Sequence, residues 1–138
     1  MKKIFLTVLI LFLTTTYGIC ATNSYDKYGS KTGSYRTNSS GTITQYDRYG
    51  SKEGSYRKTS SGYNSYDKYG AKTGSYKTNG NTTTQYDKYG SKVGTYKTNG
   101  NTTTSYDKYG QKTGSYKKDS SGRITEYDKY GRKVGSYK

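Results

Sequence analysis

The sequence contains no histidine, no tryptophan and no proline, and only one cysteine and one methionine among its 138 residues. Without histidine it has no side chain whose ordinary pKa suits acid–base work near neutrality, and the commonest metal ligand is missing as well. Large apolar side chains are confined to one end. All four Leu (Leu6, Leu9, Leu11, Leu13), both Phe (Phe5, Phe12), Met1 and Cys20 lie within the first twenty residues. Past Ala21 the only Ile and Val are Ile43, Val93, Ile124 and Val134, too few for a conventional aliphatic core. Acids are scarce too: nine Asp and Glu stand against 24 Lys and Arg, a formal net charge of +15. Few aliphatics with high charge of one sign is the composition of disordered chains, and partial disorder is one expectation.

The aliphatic end reads as a secretory signal spanning residues 1–21. Lys2 and Lys3 form a positive start, Ile4–Leu13 is an apolar run, and small and polar residues follow. The run is half the ~20 residues a membrane-spanning helix needs, so a cleaved signal is preferred over a retained anchor, and the mature chain is expected to carry no membrane span. Cleavage after Cys20 is favoured over cleavage after Ala21; a lipid anchor on Cys20 is the lesser reading because Ile19, not a small residue, precedes it. The expected location is outside the cytoplasm: secreted, periplasmic or cell-surface. Removing Lys2 and Lys3 takes the formal charge from +15 to +13 and leaves no cysteine, so no disulfide replaces the missing core.

What the sequence does contain is twenty tyrosines, all but Tyr17 and Tyr63 arranged periodically. Residues 22–138 are read as six tandem units of 20 or 21 residues that open with Tyr-Asp-(Lys/Arg)-Tyr-Gly at Tyr25, Tyr46, Tyr66, Tyr86, Tyr106 and Tyr127. Ten residues after each opening tyrosine stands another: Tyr35, Tyr56, Tyr76, Tyr96, Tyr116 and Tyr137. That half of the unit never changes length. The other half does, at Asn38-Ser-Ser-Gly41, Thr59-Ser-Ser-Gly62, Asn79-Gly80, Asn99-Gly100 and Asp119-Ser-Ser-Gly122, which marks an exposed loop. The basic charge is spread through the units and is no tail.

Each unit reads as strand, turn, strand. Tyr-Asp-x-Tyr-Gly suits a type I turn with the acid at its first position and a positive-φ glycine at its fourth. The turn residues are Asp26 and Gly29, Asp47 and Gly50, Asp67 and Gly70, Asp87 and Gly90, Asp107 and Gly110, and Asp128 and Gly131. Asn-Gly between threonines is a two-residue hairpin signal, with Ser-Ser-Gly as a longer equivalent. The expected fold is all-β, a short strand-turn-strand array built as a β-solenoid or a hairpin meander. Its core is expected to be a ladder of Tyr35, Tyr56, Tyr76, Tyr96, Tyr116 and Tyr137, each ring stacking on its equivalents. In this reading the Gly-x-Tyr glycines leave gaps that neighbouring rings cover. Tyr and Gly occupy one face, and the few aliphatics, with Val93, Thr95 and Lys97, the other.

The run Tyr127-Asp-Lys-Tyr-Gly131-Arg132-Lys-Val134, with the five earlier Tyr-Asp-x-x-Gly units, resembles the YD repeats of RHS-type proteins. The resemblance covers nearly the whole of residues 22–138. It implies β-strand repeats and a secreted or cell-surface location; six short units are too few to wrap into the hollow shell of the large members.

No catalytic residue, metal site or cofactor is assigned, and no enzymatic activity is expected. The Asp of each unit supplies one carboxylate per twenty residues, where a calcium loop needs several within a dozen. The leading functional expectation is a structural or adhesive envelope component, self-associating through strand edges. The alternative is a binding module for an anionic polymer or glycan (polysaccharide, teichoic-type polymer or extracellular DNA), with Lys77, Lys97 and Lys117 as candidate contacts.

Overall fold

The computed structural model describes residues 21–138, so the signal reading, Cys20 included, lies outside the described residues apart from Ala21. Twelve strands follow one another: β1 Ala21–Asp26, β2 Lys31–Thr37, β3 Ile43–Asp47, β4 Lys52–Thr59, β5 Gly62–Asp67, β6 Lys72–Asn79, β7 Thr82–Asp87, β8 Lys92–Asn99, β9 Thr102–Asp107, β10 Lys112–Lys118, β11 Ile124–Asp128 and β12 Lys133–Tyr137. Every strand pairs antiparallel with its sequence neighbours, and β1 pairs with β12, which closes the sheet into a barrel. The hairpin meander is therefore present, and the solenoid is not. A solenoid would leave two free edges; among the described residues every strand here has two partners.

The turns explain the reversals. In the first unit Gly29 N–H donates to the Asp26 carbonyl at 3.1 Å, and Asp26 Oδ1 accepts from the backbone N–H groups of Tyr28 and Ser30, both at 2.9 Å. Gly29 stands at φ +89°, the left-handed residue of a three-residue hairpin loop, and the corresponding glycine of every unit is at positive φ. At the opposite end, loop length follows unit length. The 21-residue spacings use the same three-residue geometry, with Gly41 and Gly122 donating to Asn38 and Asp119. The 20-residue spacings use two-residue loops. In β6–β7 the central pair is Gly80-Asn81, with positive φ at Gly80 alone, so the turn is shifted one residue from the Asn79-Gly80 expected from sequence. Thr59-Ser-Ser-Gly62 likewise joins the two-residue class, with Gly62 already in β5.

The core is inside the barrel. Tyr35, Tyr56, Tyr76, Tyr96, Tyr116 and Tyr137 are buried there with Ile43 and Ile124, and Tyr63 packs against them. Each ring removes on the order of 200 Å² from water, so six of them supply the apolar burial that absent Leu and Phe usually supply. The rings meet at tilted angles instead of stacking: Tyr35 and Tyr137 at 6.4 Å and 55°, Tyr56 and Tyr76 at 6.2 Å and 48°.

Two sequence-based expectations are corrected. Ile43 pairs directly with Tyr56, and Ile124 with Tyr137, so these aliphatics share the ladder face. The opening tyrosines are the residues that turn outward. Register is the reason: Tyr35 lies opposite Gln45, not Tyr46, so the residue before each opening tyrosine belongs to the interior. Bulges at Thr32, Glu53, Thr73, Val93, Thr113 and Val134 add a second change of phase near the turns. The Gly-x-Tyr glycines, for their part, are not gaps covered by rings. A Cβ on Gly94 would sit 2.5 Å from the Tyr106 carbonyl oxygen, so the space is already filled by backbone.

Two predictions follow from this packing. Gly94→Ala should cost about 3 kcal/mol because neither backbone can yield readily. Gly90→Ala, at φ +85° with open space around it, should cost about 1 kcal/mol. Urea unfolding of the two variants measures the difference; equal costs would overturn the assignment of Gly94 to a close approach. The β1–β12 seam repeats the register of an internal junction, Tyr137 opposite Ser24 as Tyr35 is opposite Gln45, without a covalent loop. Joining Lys138 to Ala21 through five residues copied from positions 37–41, and opening the chain between Asn99 and Gly100, should therefore give a cooperatively folding barrel. Its stability should lie within about 2 kcal/mol of the parent, the scale on which loop-closure terms change. Failure of the permutant to fold would show that the seam is not equivalent.

Candidate functional site

The six Tyr-Asp-x-Tyr-Gly turns stand together around one mouth of the barrel and form a crown. Their middle tyrosines, Tyr28, Tyr49, Tyr69, Tyr89, Tyr109 and Tyr130, are 71–83 % exposed, in contrast to the buried ladder. Over each ring lies the cation that precedes it: Lys27, Arg48, Lys68, Lys88, Lys108 and Lys129, at 4.7–4.9 Å from the ring centre. Arg132 approaches Tyr130 as well, at 5.2 Å, while its Nε holds Asp128 at 2.7 Å. The turn carboxylates are committed to backbone N–H groups, and the hydrogen bonds to Asp128 hold its pKa below the ordinary Asp value. What the crown exposes most is therefore aromatic faces and cations, beside carboxylates that keep their charge while Oδ1 holds the backbone.

A second array lies on the outer wall. Arg36, Arg57, Lys77, Lys97 and Lys117 sit over Tyr46, Tyr66, Tyr86, Tyr106 and Tyr127 at 4.6–5.7 Å. The three lysines singled out from sequence, Lys77, Lys97 and Lys117, are thus brought onto one wall, toward the strand ends away from the crown, each over the opening tyrosine of the next unit. No helix among the described residues is long and apolar enough to cross a membrane.

Just inside the crown the units alternate. Thr32 Oγ1 donates to Ser24 at 3.0 Å, and Thr73 and Thr113 do the same to Ser65 and Ser105 at 2.9 Å. The intervening units carry longer side chains at the position before the opening tyrosine. Gln45 donates to Glu53 at 2.9 Å, Gln85 accepts from the Tyr96 hydroxyl at 3.1 Å, and Glu126 accepts from Tyr116 and Tyr137 at 3.3 and 3.2 Å. Alternating small and large side chains is a common way to fill a tapering barrel interior. Glu126 is only 8 % exposed, and burial raises its pKa to about 7, with the two tyrosine hydroxyls opposing the shift. The same burial pushes both tyrosines well above their ordinary pKa.

One cavity of about 570 Å³ opens at the crown where the first, second and last units meet, lined among others by Tyr35, Gln45, Glu53 and Tyr137. Another, of about 410 Å³, lies at the opposite end beside Lys58, Tyr63 and Asn81. The crown tyrosines and their cations, the wall arginines Arg36 and Arg57, Glu53 and Glu126 were not singled out from sequence. For Glu126 the signal was the Ser, Gln, Ser, Gln, Ser, Glu alternation before successive opening tyrosines, at Ser24, Gln45, Ser65, Gln85, Ser105 and Glu126; for Glu53 it was the one acid in the series Thr32, Glu53, Thr73, Val93, Thr113 and Val134.

No family model matches the chain, and no curated protein matches it.

Glu126 makes stability pH-dependent. Its folded pKa of about 7 lies above the ordinary 4.5, so the folded state retains a proton that the unfolded state releases between those values. The Glu126 contribution should therefore be full below about pH 4.5 and be lost, about 3 kcal/mol in all, as pH rises from there through 7. Glu126→Gln should abolish that loss, since Gln85 already serves the same role toward Tyr96. Urea unfolding of both proteins at pH 5 and pH 8 checks it; a parent protein equally stable at both would overturn the assignment.

Proposed function

We propose that the protein is an exported, non-enzymatic envelope or surface component that holds an anionic polymer or glycan through its tyrosine–cation pairs. The observation that carries this reading is the crown: six rings, largely exposed, each paired with a cation on the same rim. A cation over one face of a ring leaves the other free to stack on a sugar, while the ammonium groups offer counter-charges to carboxylate or phosphate. The wall pairs that include Lys77, Lys97 and Lys117 extend the same chemistry along the barrel. Adhesion is here a matter of side chains. Self-association by edge addition loses its support, because a closed barrel presents no unpaired edge. The exported location rests on the residue pattern at 1–21, and the kinship with YD repeats on the Tyr-Asp-x-x-Gly units.

Linked equivalent sites should act by avidity and counterion release. Retention on an immobilised acidic polysaccharide should fall steeply with salt. The triple variant Lys68→Gln, Lys88→Gln, Lys108→Gln should reduce the slope of log affinity against log salt by about 2–3, near one per cation removed. Tyr69→Ala, Tyr89→Ala and Tyr109→Ala together should weaken binding at high salt and leave the unfolding midpoint unchanged, because these rings lie outside the core. Retention that ignores both triple variants would end the reading.

A further inference from the structure

We infer that the crown cavity between the first, second and last units is a discrete site for one neutral pyranose unit, gripped through vicinal hydroxyls by Glu53 and the Tyr35 hydroxyl. This rests on the glycan reading above and names the part of the ligand that the array alone does not select.

The first observation is an unsatisfied polar group. Tyr35 is 4 % exposed and lines the cavity, yet its hydroxyl makes no hydrogen bond to any described residue. Elsewhere in the ladder Tyr96 donates to Gln85, and Tyr116 and Tyr137 donate to Glu126; the Tyr56 hydroxyl also makes no hydrogen bond to a described residue, but Tyr56 does not line this cavity. A buried hydroxyl without a partner costs about 1–3 kcal/mol and calls for an explanation, which a ligand atom in an adjoining cavity supplies.

The second observation is the break in the alternation. In the odd units the bulge threonine and its serine satisfy one another. In the fourth and sixth units the bulge residue is Val93 or Val134, and the long polar partner reaches inward to tyrosine. Only the second unit places two long polar side chains at this level. Its Gln45 is drawn to Glu53 Oε2, and Glu53 Oε1 takes no hydrogen bond from the described residues. A carboxylate and an amide side by side present acceptors, with a tyrosine hydroxyl below them: a set suited to two adjacent hydroxyl groups.

Local charge selects against an anion here. Three carboxylates, Asp26, Asp47 and Glu53, line the cavity against Lys31 and Arg48, in a chain whose formal charge is +15. The rim tyrosines Tyr46 and Tyr49 add aromatic surface for the ring of a sugar. The volume, about 570 Å³, lies within the range of small-molecule sites.

The test titrates the folded protein with the methyl pyranosides of glucose, galactose and mannose, following backbone and side-chain amide NMR signals. At least one glycoside should give saturable shifts centred on Gln45, Glu53 and Tyr35, and its affinity should not change with salt. Glu53→Thr, which copies the odd units, and Tyr35→Phe should each weaken it about tenfold, the loss expected for a hydrogen bond to a charged or buried partner. Tyr96→Phe, whose hydroxyl is already bonded to Gln85, should leave it unchanged. Tyr35→Phe removes an unpaired buried hydroxyl, so it should fold at least as stably as the parent, and a non-folding variant does not stand in the way. No saturable shift with any of the three glycosides, or equal binding by parent, Glu53→Thr and Tyr35→Phe, overturns the inference. Salt-sensitive retention on acidic polysaccharide should persist in both cavity variants. If that retention is absent while the glycoside titration succeeds, the polymer reading falls and this site stands.

Discussion

Everything in this barrel follows from building a core out of tyrosine. A phenol ring buries as much apolar area as phenylalanine but carries a hydroxyl that needs a partner once water is gone. A flat array of tyrosines could leave every hydroxyl at a wet surface. A closed sheet cannot, and its interior accordingly holds Gln85 and Glu126 as acceptors for Tyr96, Tyr116 and Tyr137. Closure in turn removes the two edges that a Thr- and Tyr-rich repeat would otherwise expose to its own copies. The same choice that replaces missing leucines thus also limits self-association.

Repetition produces a ring with two unlike ends. The Tyr-Asp-x-Tyr-Gly turns are identical in geometry because Asp and Gly each have one conformational duty, and the exposed tyrosine between them has none. That residue is free to serve binding, and all six lie at the same mouth. The opposite end varies in length and carries Ser, Asn and Gly loops. The proposed binding surface thus lies where the backbone is invariant and the side chain is unconstrained. Against that uniform background the departures stand out: Glu53 beside Gln45, Glu126 between two hydroxyls, and Tyr63 where other units have Thr or Ile.

The strand-turn-strand unit was legible in the sequence because its causes are local. Gly at the fourth turn position, Asp at the first, and loop length at 20 or 21 residues act within a few bonds, and Tyr35 to Tyr137 could be picked out as the ladder by period alone. The site was less legible. Lys77, Lys97 and Lys117 could be named as candidates from the period, whereas the crown tyrosines were not, because exposure at a turn tip is a property of how six turns assemble. Tyr46 and Tyr35 have the same chemistry, and only the pairing of Tyr35 with Gln45 decides that one ring is wall and the other core.

By itself, then, the sequence determined the alternation along each strand, the turn type and the scarcity of any core but tyrosine. It could not determine which face of one strand joins which face of the next, since a one-residue change of register exchanges every side chain. Nor could it determine that β12 meets β1. Closure depends on twist and curvature accumulated over all twelve strands, a sum that no single unit carries.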